Sequence, residues 1–224
     1  MGRKVFPNLF RINYYPKYKS FYKPPFTFTK FNNYILNIQL NLEILNFFQQ
    51  REDNYLILDI KIINLTSNII IIYLIIPDTK IKIESNLNKN LFNTCILLKK
   101  NLYKKYNNKI NIFFELIFSK NVYKYTNYIW FIITKLLKQQ ISIRSIFKNL
   151  ILDFDKLQQN QNNKIIGFKL KVSGRINGSE LAKQEIFKFG SLPLQTIIYD
   201  INYTNKKLKT KFGILGIKLW LFIF

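Results

Sequence analysis

Gly167-Phe-Lys-Leu-Lys-Val-Ser-Gly-Arg-Ile-Asn-Gly-Ser-Glu-Leu-Ala-Lys183 is the stretch on which the fold of this chain turns. Three glycines fall inside it, and six of the seven in the chain lie between Gly167 and Gly216, the seventh being Gly2. The rest is written largely in Ile, Asn, Lys, Phe, Tyr and Leu, with Ala182 the single alanine. Such a skew is what an A+T-rich coding sequence produces, so a glycine, alanine or arginine here is written against the grain. Glycine lets a backbone take positive φ or approach another group closely. A cluster of glycines therefore predicts turns whose geometry is kept.

Bulk composition narrows the function classes. At 224 residues the chain is long enough for one large domain or two small ones. Hydrophobic residues make up 48% and aromatics 17%, which predicts a folded core. Lys and Arg number 35 against 12 Asp and Glu, a net charge of +23, and only five of the basic residues are arginines. That much uncompensated charge calls for a polyanion, nucleic acid before an anionic membrane. There is no histidine and Cys95 is the only cysteine, which removes disulfides, zinc ribbons and histidine acid–base chemistry. Cys95, among Leu91, Phe92, Ile96 and Leu97, reads as a small core residue. No phosphate-binding glycine loop occurs, so neither an enzyme nor a bound metal or cofactor is expected. The longest apolar run, Ile69 to Ile76, is too short to span a bilayer, and no secretory signal opens the chain.

Residues 1–30 read as a basic aromatic arm. Through residue 31 the stretch carries seven Lys or Arg, ten Phe or Tyr and no acid, and Pro7, Pro16, Pro24 and Pro25 predict an extended chain. From Phe31 to Gln50 the spacing of Tyr34, Ile35, Ile38, Leu42, Leu45 and Phe48 predicts a helix. Tyr55 to Leu65 and Asn68 to Ile76 read as strands joined by a hairpin turn. Leu87 to Tyr106 reads as a helix burying Leu91, Leu97, Leu98 and Leu102, and Lys109 to Phe118 as a third strand. Asn121 to Leu157 carries the longest helical pattern, with Lys135, Lys138, Arg144 and Lys148 off its apolar stripe. Lys164 to Ile176 begins a strand. Asn177 and Glu180 have N-cap and N3 spacing, which predicts a helix from Ser179 to Lys188. Leu194 to Tyr203 and Ile214 to Phe224 finish as strands across a lysine-rich loop.

The opening stretch resembles the C-terminal domain of the small-subunit ribosomal protein S-three family. Val172, Ser173, Gly174, Arg175, Gly178, Glu180 and Ala182 match its V-S-G-R-x-x-G-A-E-hydrophobic-A-R pattern, with Ser179 and Lys183 as mild changes. Gly190-Ser-Leu-Pro-Leu-Gln-Thr is similar to the family's G-R-hydrophobic-P-L-x-T loop, with Ser191 where arginine is usual. Asp200-Ile-Asn-Tyr follows where the family has D-I-D-Y. Phe212, Gly213, Gly216, Lys218 and Trp220 match its ending. At the other end Gly2, Lys4, Val5, Pro7 and Arg11 fall in register with the family's opening.

The resemblance implies an α/β (α+β) fold, a type II KH-like domain followed by the family's C-terminal α/β domain. The expected boundaries are 31–118 for the KH-like domain and 119–224 for the C-terminal one. It implies a structural constituent of the small-subunit head that binds rRNA. It also implies contact with messenger RNA where the message enters, neighbours from the S-ten and S-fourteen families, and no homo-oligomer. The candidate rRNA contacts are Arg3, Lys4, Arg11, Lys23, Arg175, Lys183 and Lys188. The family's basic cluster facing the messenger channel falls on Arg144, Ser145 and Lys148, so Arg144 and Lys148 are the candidate messenger contacts. The family's G-x-x-G clamp on nucleic-acid backbone falls on Lys82-Ile83-Glu84-Ser85, and no glycine lies between Gly2 and Gly167. Loss of that clamp is expected. Alignment of the family's first residues with Met1, together with the A+T-rich composition, places the chain in a mitochondrion, ahead of a plastid or a bacterium. Two alternatives stand beside this: a peripheral membrane protein using its lysines on anionic lipid, and an intron-splicing nuclease, for which no acidic cluster speaks.

Overall fold

A computed structural model describes residues 6–11, 36, 39–48, 56–64, 69–78, 85–106, 111–160 and 165–223. Two compact units emerge, Lys17–Val122 forming one and Met1–Pro16 with Tyr123–Phe224 the other.

The Lys17–Val122 unit runs helix, strand, strand, helix, strand: α2 at residues 39–48, β1 at Asp59–Asn64, β2 at Ile69–Pro77, α3 at Ser85–Lys105 and β3 at Asn111–Ser119. Its sheet has the order β1-β2-β3, antiparallel between β1 and β2 and parallel between β2 and β3. Isoleucine supplies the core: Ile60, Ile62, Ile70, Ile72 and Ile112 are buried against Leu40, Ile44 and Phe48 of α2 and Leu98 and Leu102 of α3. β-Branched side chains suit a pleated, covered sheet face. The buried face of α2 is the i, i+4, i+8 row of Leu40, Ile44 and Phe48, while Leu42 and Leu45, expected inside, are exposed. Leu97 of α3 is likewise exposed. Cys95 is buried, and burial pushes its thiol up to about 11. Across α2 and α3, Lys105 donates to Glu43 Oε1 at 2.6 Å.

The larger unit is a helix-covered antiparallel sheet. It contains the short α1 at Pro7–Phe10, α4 at Thr126–Lys138, α5 at Ile143–Asn160, β4 at Ile165–Gly174, β5 at Lys183–Gly190, β6 at Ile201–Thr210 and β7 at Gly213–Ile223. The four strands pair in the order β5-β4-β7-β6. Ile129, Ile133, Ile146, Leu150 and Phe154 of the helices bury one sheet face, made by Phe168, Leu170, Val172, Ile217, Leu219 and Leu221. Phe154 and Phe168 meet edge to face with ring centroids 5.4 Å apart, a favoured aromatic geometry.

Five expectations are corrected here. The helix expected from Ser179 to Lys188 is strand β5 preceded by a 3-10 turn at Ile176–Gly178, in which Asn177 is left-handed (φ 53°). Lys183-Gln-Glu-Ile-Phe-Lys-Phe alternates with period two and is rich in strand formers, and pairing with β4 outweighs the cap-like spacing. The single long helix is two, broken at Gln139–Ser142. Gln140 N–H donates to Leu137 O and Ile141 N–H to Leu136 O, with Gln140 at φ 62°, which is a Schellman stop. Ser142 Oγ then accepts from Ser145 N–H and starts α5. Pro7 does not extend the arm but opens the α-turn of α1, the helical position that tolerates proline best. The last strands also shift. The lysine-rich segment expected to be a loop is strand β6, and most of the expected Leu194–Tyr203 strand precedes it as a loop. The hairpin turn expected at residues 65–68 and the prolines at 16, 24 and 25 lie outside the described residues.

Candidate nucleic-acid interface

The register of the larger sheet decides what its uncovered face carries. Reading across β6, β7, β4 and β5, the first row is Tyr203, Trp220, Lys169, Lys188. The second is Asn205, Lys218, Lys171, Ile186. The third is Lys207, Gly216, Ser173, Gln184, and Lys209 stands beyond it on β6. Six lysines and two large aromatics thus share one face, and none of its strand positions is an acid. Lys206, pointing to the other side, is occupied by Asn127 Oδ1 at 2.9 Å and is not part of this set.

Two directly paired positions place lysine opposite lysine, Lys171 with Lys218 and Lys169 with Lys188. Neighbouring strands lie about 4.8 Å apart, and like charges directly opposite are destabilising. Burial, followed by Lys188 and Lys171, lowers the pKa of Lys169. Its Nζ stands 4.9 Å from the centre of the Trp220 ring, a cation–π contact that holds the ammonium over the face. Trp220 in turn meets Tyr203 at 5.2 Å, and Phe6 meets Tyr203 edge-on at 4.8 Å.

Two glycines and an arginine fix one end of this face. Gly167 and Gly190 are paired across β4 and β5. A Cβ on Gly167 would lie 2.0 Å from Ser191 O, and one on Gly190 1.9 Å from Ile166 O, so only glycine lets the chain after β5 cross there. Arg11 then ties that crossing segment down. Its Nε donates to Tyr199 O at 2.8 Å, Nη1 to Pro7 O at 3.2 Å, and Nη2 to Pro193, Leu194 and Thr196 carbonyls at 3.1, 3.0 and 2.7 Å. Burial lowers its pKa and nearby Asp200 raises it.

The candidate residues fare differently. Arg11, expected on RNA, is 2% exposed with its guanidinium spent on backbone carbonyls, so it is a structural clamp. Lys183 and Lys188 on β5 are exposed, and Lys188 belongs to the basic face. Arg175 is exposed at the turn after β4, oriented by a 2.9 Å bond from Nε to Ser179 O. Arg144 and Lys148 project from α5 into solvent, and Arg144 meets Glu185 at 3.5 Å, an exposed ion pair. Arg3, Lys4 and Lys23 lie outside the described residues, as do positions 82–84 of the expected clamp, and Ser85 begins α3. Lys169, Lys171, Lys207, Lys209 and Lys218 are not among the RNA contacts expected from the sequence, although Lys218 is one of the residues matching the family's ending. For Lys169 with Lys171 and Lys207 with Lys209 the signal is lysine at i, i+2 in segments that must alternate as strands; Lys218 has no such partner.

Among the described residues no group of three or more His, Cys, Asp or Glu could hold a metal, and no helix is long and apolar enough to cross a membrane. Fold and face together define a class, a basic α/β protein with a lysine-rich, acid-free sheet face. The chain belongs to the small-subunit ribosomal protein S3 family, whose members are structural components and not enzymes. Residues 133–221 match the family profile described as "Ribosomal protein S3, C-terminal domain". The small ribosomal subunit protein uS3c of Euglena longa is 32% identical over 229 residues, covering 99% of both chains. That of Epifagus virginiana is 31% identical over 233 residues, covering 100% of this chain and 99% of the relative. That of Thalassiosira pseudonana is 43% identical over 91 residues, so the match spans 41% of this chain and 42% of that protein. These relatives carry the name of the plastid form, which corrects the mitochondrial placement. An A+T-rich composition marks an organelle-type genome without telling one organelle from another.

Proposed function

We propose that this chain is a structural constituent of a plastid small ribosomal subunit and binds rRNA through the lysine face of its larger sheet. The observation that carries this reading is the pairing of Lys171 with Lys218 and of Lys169 with Lys188 on a face without acids. Phosphates set against that face remove a like-charge penalty already present in the free protein. Trp220 beside Lys169 adds a ring on which a sugar or base can rest. Arg175 and Lys183 extend the contact beyond Lys188 of the face, with Arg3, Lys4 and Lys23 of the arm as further rRNA ligands. Arg144 and Lys148, four apart on α5, contact messenger RNA where it enters the subunit.

Residues 31–118 serve as a KH-like module without its glycine clamp, contributing packing and general basic charge. Exposed Phe92, Phe113 and Phe118 support protein neighbours there, those of the S-ten and S-fourteen families. Sedimentation through sucrose in detergent and moderate salt tests the reading. The wild-type chain runs with small subunits, and Lys169→Glu combined with Lys218→Glu sheds it into the free fraction. Recovery of the wild type in the membrane pellet, free of rRNA, would overturn the assignment.

A further inference from the structure

A cavity of about 440 Å³ opens at one end of the larger unit, between the α4–α5 turn, the turn after β4 and the β6–β7 hairpin. That volume lies within the roughly 300–1,000 Å³ of small-ligand sites. Its floor is apolar, made by Leu137, Ile141, Leu208 and Leu215. Lys138, Arg175, Lys209 and Lys211 also line it, and all four are exposed. No acid is among the lining residues. Phe212 at the hairpin tip lines the same cavity and is 51% exposed. Its ring is braced on Gly178, where a Cβ would meet Cε1 and Cζ at 3.2 Å. The Nε bond to Ser179 O fixes the Arg175 guanidinium at the mouth.

We propose that this cavity takes a single unpaired nucleotide of RNA, the base on the apolar floor beside Phe212 and its phosphates on Arg175, Lys209 and Lys211. A floor without charge and a rim of cations match the two halves of a nucleotide, an apolar ring and an anionic backbone. A bare phosphate would leave the floor unused, and a duplex cannot place a base in a concave site. The site rests on the RNA-binding reading above and borders the lysine face, with which it shares Lys209. It selects single-stranded RNA, whereas the lysine face takes phosphates of any strand.

Photocrosslinking with the full-length protein tests it, using a 12-nucleotide oligouridylate carrying one 4-thiouridine and a 12-base-pair RNA duplex for comparison. The expected adducts fall on the peptides containing residues 137–143 or 208–215. Phe212→Ser weakens oligouridylate binding by about five- to tenfold and leaves duplex binding within twofold. Arg175→Gln lowers the salt slope for the single strand by about 0.7. Adducts confined to other peptides, or equal losses for both RNAs in Phe212→Ser, overturn the pocket while duplex binding by wild type leaves the rRNA reading standing. Failure of wild type to bind either RNA overturns both. Unchanged tryptophan-monitored melting of Phe212→Ser keeps misfolding out of the comparison.

Discussion

Arg11 shows how one side chain can be read correctly as special and wrongly as external. It is one of five arginines in a lysine-rich chain, and its guanidinium donates to five backbone carbonyls, four of them between Pro193 and Tyr199. A guanidinium offers five N–H donors in a fixed planar fork, where an ammonium offers three. Arg11→Met leaves those carbonyls without their donor and is expected to lower the unfolding free energy of the larger unit by about 3 kcal/mol. Urea denaturation followed by tryptophan fluorescence checks this, because Trp130 and Trp220, the two tryptophans of the chain, both lie in that unit. A loss below about 1 kcal/mol would mean the contacts are not formed in solution. Gly190 belongs to the same story. Its φ of 63° and the 1.9 Å approach to Ile166 O explain why this glycine persists amid a drifting composition.

At the scale of elements, strand and helix periodicity was legible wherever one face is buried, and boundaries were not. β4 and β7 follow their alternating apolar residues closely, since Leu170 and Val172 alternate with Lys169 and Lys171. The α4–α5 break escaped notice because its C′ position holds glutamine where glycine usually signals a stop. A left-handed residue with a side chain costs about 1–2 kcal/mol in backbone energy, partly offset by the unfolded-state entropy glycine would add. Gln140→Gly is therefore expected to stabilise the larger unit by roughly 0.5–1 kcal/mol. A shift in the urea midpoint with an unchanged slope checks it. β5 was misread for the opposite reason. Asn177 and Glu180 imitate a helix start, but an edge strand on β4 satisfies the backbone of Lys183–Gly190 and gives Phe187 and Phe189 a core to pack on.

Across the whole molecule the charge has a place to go. Burial and neighbouring Lys188 and Lys171 lower the pKa of Lys169, so in the free protein its charged form is disfavoured relative to the unfolded chain. Without a polyanion, stability contributed by this site therefore increases as pH rises through the lowered value. Phosphates reverse the sign by favouring the ammonium, so binding of duplex RNA takes up a proton. Affinity is expected to fall as pH rises from the lowered value toward the ordinary lysine value, and Lys169→Gln flattens that dependence. Anisotropy titrations across the alkaline range measure it, and an affinity that rises with pH in the wild type would contradict the linkage.

Sequence alone determined the family and the class. Ordered matches from Val172 to Trp220 survive because they sit where backbone geometry admits few residues, and a charge of +23 without histidine leaves chemistry by charge presentation as the main option. It could not say which cations face outward together or which one is consumed inside. Lys169, Lys188 and Lys218 are separated along the chain and become neighbours only through strand register. Arg11 is 188 residues from Tyr199 and meets its carbonyl only when the loop after β5 folds over Gly167. Both outcomes depend on long-range pairing, which local periodicity and composition do not encode and which the packed sheet alone decides.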